Sequence, residues 1–455
     1  MFMTIRSKFA LFAGSSSYIL LHKILHRGGT SLPGKIAYRI DPTFLEEFRD
    51  QIETVIVSGT NGKTLTTALC ARVLEKTNRV VVTNNSGSNM IQGIVAALLS
   101  QKDKIKKSIR HGTIPIAVLE VDEANVKEVA KILQPTHFVL TNIFRDQMDR
   151  YGEIYTTYEK ITDGIKTAPK AKVVANGDSP IFARKPYKNQ AVYFGFAHKK
   201  SVGDLRAPNN TDGVLAPTND QVLHYHYLTY ANLGDYFTKD GSFKRPQLKY
   251  SVNKINSLTP SKSEFEIAGN KFTLPLGGLY NIYNALAAYS LGREFQISAE
   301  DIFNALNEDS RIFGRQEQLT IGSHLVTIVL IKNPVGANSV IDMMMTDPEE
   351  FSLVTLLNAN YADGIDTSWI FDAEFEKLHQ TALKKIIVGG QRYKDFSVRL
   401  KMAGFKNQIV EQDFAKLIDR IKELPTKNVY VAATYTSMLM FREELAKAGL
   451  AKESF

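Results

Sequence analysis

Cysteine and tryptophan are almost absent: Cys70 and Trp369 stand alone among 455 residues. A single thiol excludes an internal disulfide and any cysteine-rich zinc knot. Long apolar runs are also missing. The uncharged stretch Phe9 to Leu21 is shorter than the ~18 residues that cross a bilayer, and Gly14, Ser15, Ser16 and Ser17 dilute it. With Arg6 and Lys8 before it, the stretch resembles the apolar part of a secretory signal. The serines, and His22, Lys23, His26 and Arg27 just after it, read better as an amphipathic helix that packs on the body or grazes a membrane surface. The expected compartment is the cytoplasm, with peripheral contact at the inner membrane face as a further expectation. Charge of one sign is not extreme: 56 Lys+Arg against 47 Asp+Glu leave +9. Such an excess permits a polyanionic substrate or anionic lipid but discriminates weakly, and no nucleic-acid partner is expected.

Hydrophobic residues at 44% and charged residues at 23% exclude global disorder, a fibre and a polytopic membrane protein. The length suits two to four domains. Apolar runs of strand length alternate with helical periodicity: Thr54 to Ser58 then Lys63 to Glu75, Arg79 to Thr83 then Met90 to Leu99, Ile114 to Glu120 then Val126 to Leu133, and Thr136 to Thr141. That rhythm predicts an α/β fold with a mainly parallel sheet. Residues 199–250 break it and read as a small β insertion with one strand in Val222 to Tyr230. A second α/β pattern follows, with strands in Val326 to Ile331, Phe351 to Leu357, Lys385 to Val388, Gln408 to Val410 and Asn428 to Ala432. The expected layout is an N-terminal segment 1–50, a central P-loop domain 51–317 and a Rossmann-like C-terminal domain 318–455.

The strand-like Val55–Ser58 runs into Gly59-Thr60-Asn61-Gly62-Lys63-Thr64 and then a helix carrying Leu65, Leu69 and Val73. Glycines there let backbone N–H groups face phosphate oxygens, Lys63 supplies a point charge, and the Thr64 hydroxyl can ligate Mg²⁺. The spacing is shorter than the common P-loop form. A carboxylate should stand at a neighbouring strand end, and Ile116–Glu120 supplies Glu120 as the favoured Mg²⁺ ligand. Asp122 and Glu123 are open between metal binding and stabilising the following helix through its dipole.

Four strings in this order, GTNGKT at 59–64, TNIFRDQMDRYG at 141–152, GLYNIYNALAA at 278–288 and GRQE at 314–317, resemble the Mur ligase superfamily, ATP-dependent amide-bond formers of peptidoglycan precursor synthesis. The resemblance implies that Lys63 and Thr64 hold triphosphate and magnesium, Glu120 ligates metal, Asn281 contacts adenine and Arg315 reaches the phosphates. Read without it, Asn281 and Asn284 are polar residues at a helix start and Gly314-Arg315 a turn. Asp146-Gln147-Met148-Asp149 and Leu330-Ile331-Lys332-Asn333-Pro334 depart from the amino-acid-adding members, which usually carry histidines in both strings.

The stretch Asn358 to Asp372, with Asp363, Asp366 and Trp369, is similar to one branch, the MurT family. That resemblance implies a ligase forming carbon–nitrogen bonds with glutamine as amido donor. The implied reaction converts the α-carboxyl of D-glutamate in the lipid II stem peptide to D-isoglutamine through an acyl phosphate. It also implies ATP and Mg²⁺ as cofactors, a GatD-like glutaminase as heterodimer partner, and Asp366 as the acid that orients the partner's catalytic histidine. From the residues alone Asp366 is equally a turn acid, with Asp363 its nearest competitor. Trp369 is open between core and partner anchor. Relatives with a four-cysteine zinc ribbon in the insertion have no counterpart here, so no zinc is expected; His224 and His226 read as ordinary strand histidines. Cys70 reads as packing. The basic run Lys102 to Lys107 reads as a solvated helix face or loop. An amino-acid-adding or folylpolyglutamate-synthase-like ligase and a catalytically silent nucleotide-binding scaffold are the alternatives.

Overall fold

Continuous Val, Ile and Leu runs bury on both faces, which is what parallel strands covered by helices require. In a computed structural model describing residues 5–19, 32–84, 88–146, 154–197, 205–206, 214–307 and 316–451, they build two sheets. The strands of the first two thirds are β1 (Glu53–Ser58), β2 (Val81–Thr83), β3 (Ile116–Glu120), β4 (His137–Leu140), β5 (Lys172–Asn176), β6 (Ala191–Phe196), β7 (His224–Leu228), β8 (Gly234–Phe237), β9 (Tyr250–Leu258), β10 (Ser263–Ile267) and β11 (Asn270–Leu274). Nine of them form one sheet in the order β11-β10-β9-β6-β5-β4-β1-β3-β2. Pairing is parallel from β2 through β9 and antiparallel at β10 and β11. Val55, Val57, Val139 and Val174 face one buried cluster and Ile56, Phe138, Leu140 and Val173 the other, as period-two alternation demands. β1 lies between β3 and β4, the point where strand order reverses, and a crevice opens outside such strand ends.

The second sheet uses β12 (Glu317–Ile321), β13 (His324–Leu330), β14 (Phe351–Leu356), β15 (Leu383–Gly389), β16 (Ile409–Val410) and β17 (Asn428–Ala433). Its order is β12-β13-β17-β14-β15-β16, with β12 antiparallel and the rest parallel. Apolar clusters cover both faces.

β7 and β8 pair with each other in the insertion, over a small core that includes Tyr225, Tyr236 and Phe243. Arg245 ties it to the central sheet through Asp178 at 2.7 Å, and the Tyr283 hydroxyl donates to the same carboxylate at 2.6 Å. In β7 His224 is buried, and His226 pairs with Asp235 at 3.1 Å while stacking on Phe237. At the N-terminus, helix Ile5–Ile19 packs by Ala10 and Gly14 against helices Leu32–Ile40 and Ile91–Ser100. A Cβ on Gly14 would stand 2.9 Å from Leu99 Cδ1, so a larger residue there would push the helices apart.

Candidate nucleotide site and the Asp366 loop

The phosphate loop joins β1 to helix Lys63–Glu75, and it can turn that tightly because Gly59 (φ 133°) and Gly62 (φ 82°) occupy left-handed backbone. Gly62 caps the helix, and a Cβ there would stand 2.3 Å from Asn284 Oδ1. Leu65, Leu69, Cys70 and Val73 sink into the central core beside Leu286 and Ala287 of helix Leu279–Glu294. Each buried leucine contributes roughly 2 kcal/mol, enough to hold the helix N-terminus in place. Burial also pushes the Cys70 thiol well above its usual range, so it packs and does not react.

The loop backbone is pinned from β4's end. Asn142 accepts from Asn61 N at 2.8 Å and donates to Asn61 O at 3.0 Å; its own carbonyl accepts from Thr60 N at 2.8 Å. Thr60 Oγ1 accepts from Phe144 N at 3.0 Å.

Lys63 is buried, donates to Gly59 O, and pairs with Glu123 at 3.0 Å. Burial alone would lower its pKa, but Glu123, Asp122 and Glu120 together raise it, so the ammonium stays charged. Asp122 Oδ1 accepts from Ala124 N at 3.1 Å, closing the turn before helix Val126–Leu133. Glu120 ends β3 and is also buried. Its Oε1 accepts from Asn89 at 3.0 Å, whereas Oε2 has no hydrogen-bond partner among the described residues. A buried carboxylate oxygen left this way fits a cation ligand. No group of three or more His, Cys, Asp or Glu among the described residues is placed to hold a metal ion by itself. Mg²⁺ needs none, since one or two carboxylates and phosphate oxygens suffice; Glu120 and Thr64, both lining the cleft, would hold it.

Asn281 starts helix Leu279–Glu294, buried, donating to Gly277 O at 2.7 Å and Gln316 Oε1 at 3.0 Å. Asn284 accepts from Thr66 at 3.1 Å beneath the loop. The C-terminal sheet closes the cleft from the other side. Asn61 and Asn333 exchange amide hydrogen bonds at 3.3 and 3.0 Å, and Lys332 pairs with Asp146 at 2.6 Å. Asn333 also caps helix Pro334–Met344 by accepting from Gly336 N at 2.7 Å. The result is a cleft of about 340 Å³ lined by Gly62, Lys63, Thr64, Glu120, Asn281 and Lys332, among others. The cleft thus gathers Thr60, Asn61, Gly62, Lys63, Thr64, Glu120 and Asn281. Arg315 and residues 147–152 of the second string lie outside the described residues.

Asp366 does not belong to the cleft. It is exposed on the loop after β14, where its carboxylate accepts from Ser368 N at 2.8 Å and Ser368 Oγ at 3.0 Å. Asp363 is buried instead, accepting from Thr436 N at 2.7 Å and Thr436 Oγ1 at 2.5 Å. It pins the loop to helix Tyr435–Lys447 and leaves Asp366 outward. Tyr361, Ile365 and Phe371 are exposed on the same segment. Trp369 is half-buried against the C-terminal core.

Glu123 as the partner of Lys63, and Asn333 as the partner of Asn61, were not assigned these contacts from sequence. Residues 272 positions apart share no local periodicity that could have joined Asn61 to Asn333.

Comparison with known proteins agrees with this arrangement. The Mur ligase middle domain model matches residues 57–292, and the MurT ligase C-terminal model matches residues 330–438. The lipid II isoglutaminyl synthase (glutamine-hydrolyzing) subunit MurT of Streptococcus pneumoniae is 44% identical over 454 residues, covering 99% of each chain. Its namesake from Staphylococcus aureus strain COL is 34% identical, covering 92% of this chain and 93% of that one. In fold, the chain is similar to a pseudomurein peptide ligase type C from Methanothermus fervidus, with TM-score 0.64 at 20% identity over 89% of this chain and 80% of that one. A P-loop cleft closed by a Rossmann-like second sheet, and 34–44% identity to these relatives over nearly the whole chain, place the chain in the MurT family of Mur-type ligases.

Proposed function

We propose that this chain is the ATP-dependent subunit of a lipid II isoglutaminyl synthase, amidating the α-carboxyl of D-glutamate in the stem peptide to D-isoglutamine. A carboxylate is a poor acyl donor because oxide is a poor leaving group. Transfer of the γ-phosphoryl group to one carboxyl oxygen gives an acyl phosphate; ammonia then attacks the carbonyl carbon, and phosphate leaves with that oxygen. The protein's task in the first step is positioning and charge neutralisation. Lys63 and the first-turn amides of its helix face the phosphates, Asn281 meets the adenine, and Arg315 reaches the phosphates. When bound at Thr64 and Glu120, Mg²⁺ supplies further neutralisation of phosphate charge. Glu123, which holds Lys63 without ligand, must share that ammonium with the nucleotide.

Ammonia comes from glutamine through a GatD-type glutaminase, because neutral water holds mostly ammonium, a poor nucleophile. This chain cannot supply the glutaminase's thiol, since Cys70 is buried. Asp366, exposed and held among the described residues only by Ser368, is the acid that orients the partner's histidine.

The observation that carries the reading is the convergence of the phosphate loop, the half-satisfied Glu120 and Lys332 of the second sheet on one cleft. Oxygen-18 in the stem-peptide α-carboxyl tests it: one label per turnover should appear in inorganic phosphate. Phosphate free of label would remove the acyl phosphate, and absence of any phosphate release would leave only a silent scaffold.

A further inference from the structure

Helix Ile5–Ile19 has an outer face as well as the inner one that binds it to the body. Ser7, Ala10 and Gly14 are buried, while Ile5, Phe9 and Phe12 are 88%, 62% and 69% exposed. Those three positions recur at helical spacing, so they form one stripe, and Lys8 stands exposed beside it. An isolated exposed leucine or phenylalanine needs no explanation, but an ordered apolar stripe on a helix does.

The neighbouring helix Lys102–Arg110 supplies charge. Lys102 Nζ donates to Ser15 Oγ at 2.7 Å, which fixes the start of this helix against the N-terminal one. Lys104, Lys106, Lys107 and Arg110 are exposed, and none forms an ion pair among the described residues. Its buried face is Ile105 and Ser108, so packing accounts for only one side of it. No helix of the described residues is long and apolar enough to cross a membrane.

An apolar stripe on a helix tied through Lys102–Ser15 to one whose exposed cations form no ion pair among the described residues suits an anionic lipid surface, the stripe entering the headgroup boundary while lysines meet lipid charge. A purely apolar groove would satisfy the stripe but leave the cations without matching charge. We infer that helices Ile5–Ile19 and Lys102–Arg110 form a docking surface for anionic membrane lipid. The assignment extends the lipid-linked-substrate reading and rests on it for its purpose, yet lipid binding and amide formation are measured independently.

The test is sedimentation of the full chain with vesicles of phosphatidylcholine, with and without phosphatidylglycerol. The chain should pellet with the phosphatidylglycerol vesicles and stay in solution with the others. Phe9→Ser combined with Phe12→Ser should weaken binding about tenfold or more. Because that pair sits on a packed helix, a second variant, Lys104→Gln with Lys106→Gln and Lys107→Gln on a solvated face, should weaken it about as much at low salt. ATP turnover should be unchanged in both. Parent-like binding by both variants, or no binding by the parent, overturns the inference. So does a parent that ignores vesicles while the phenylalanine variant loses self-association or glutaminase binding, which would give the stripe to a second copy or to the partner.

Discussion

Carboxylates in the nucleotide cleft and on the Asp366 loop live under opposite conditions. Glu123 and Asp146 are each committed to a lysine, Lys63 and Lys332, inside the molecule. Asp366 is exposed and, among the described residues, accepts only from its own turn. Asp363, three residues earlier, belongs with the first group, since Thr436 occupies both its oxygens. A satisfied buried carboxylate cannot turn to an outside histidine without abandoning its partners, whereas an exposed one can. Described residues of this chain assemble the cleft; under the proposed function a partner subunit completes the Asp366 loop.

Lys63→Ala should strike hardest, lowering ATP turnover at least about a thousandfold through loss of a charge aimed at the phosphates. It also strands Glu123, so a thermal melt must accompany the assay; normal turnover in a folded variant would detach Lys63 from the chemistry. Asp366→Asn should lower glutamine hydrolysis by the assembled complex about a hundredfold or more while the two chains still co-elute. Asp363→Asn should do the reverse, lowering the melting temperature by an amount equivalent to about 1–3 kcal/mol. Were Asp363→Asn to abolish hydrolysis at an unchanged melting temperature, the two acids would exchange roles.

A fourth prediction concerns a buried group that neither site uses. His137 in β4 is held neutral: burial depresses its pKa from 6.5 to about 4, against the pull of Glu53. Its folded value lies below its unfolded one, so the unfolded chain takes up the proton first as pH falls. Stability should be full above pH 6.5, decline between 6.5 and about 4, and level off below, by about 3 kcal/mol in all. Denaturant titrations of His137→Gln should lose that decline, and an unchanged slope would place its cause elsewhere.

Much of the central domain was legible because its strands are short continuous apolar runs and its phosphate loop is local in sequence. The helices Lys63–Glu75 and Val126–Leu133 fall where their periodicity puts them. β9 was missed since most of its residues remain partly exposed and show no clean alternation. β12 is short and antiparallel at an edge, with little burial to mark it. In the site, Gly59 to Thr64, Glu120 and Asn281 were readable from strand–turn–helix context and resemblance. The Lys63–Glu123 contact was not, because it depends on β1 pairing with β3, and the Asp146–Lys332 and Asn61–Asn333 contacts were not, because they depend on how two sheets meet. From the residues alone Asp363 and Asp366 look alike; resemblance favours Asp366, and burial separates their environments.

Nitrogen transfer tests the central claim most directly. The chain, a GatD-type glutaminase, ATP, lipid II and glutamine labelled with nitrogen-15 in its amide should together yield lipid II whose new amide carries the label. The chain without its partner should give that product only when ammonia is supplied. Unlabelled product from the full mixture, or labelled product without the glutaminase, would contradict a ligase that draws its nitrogen from a neighbouring subunit.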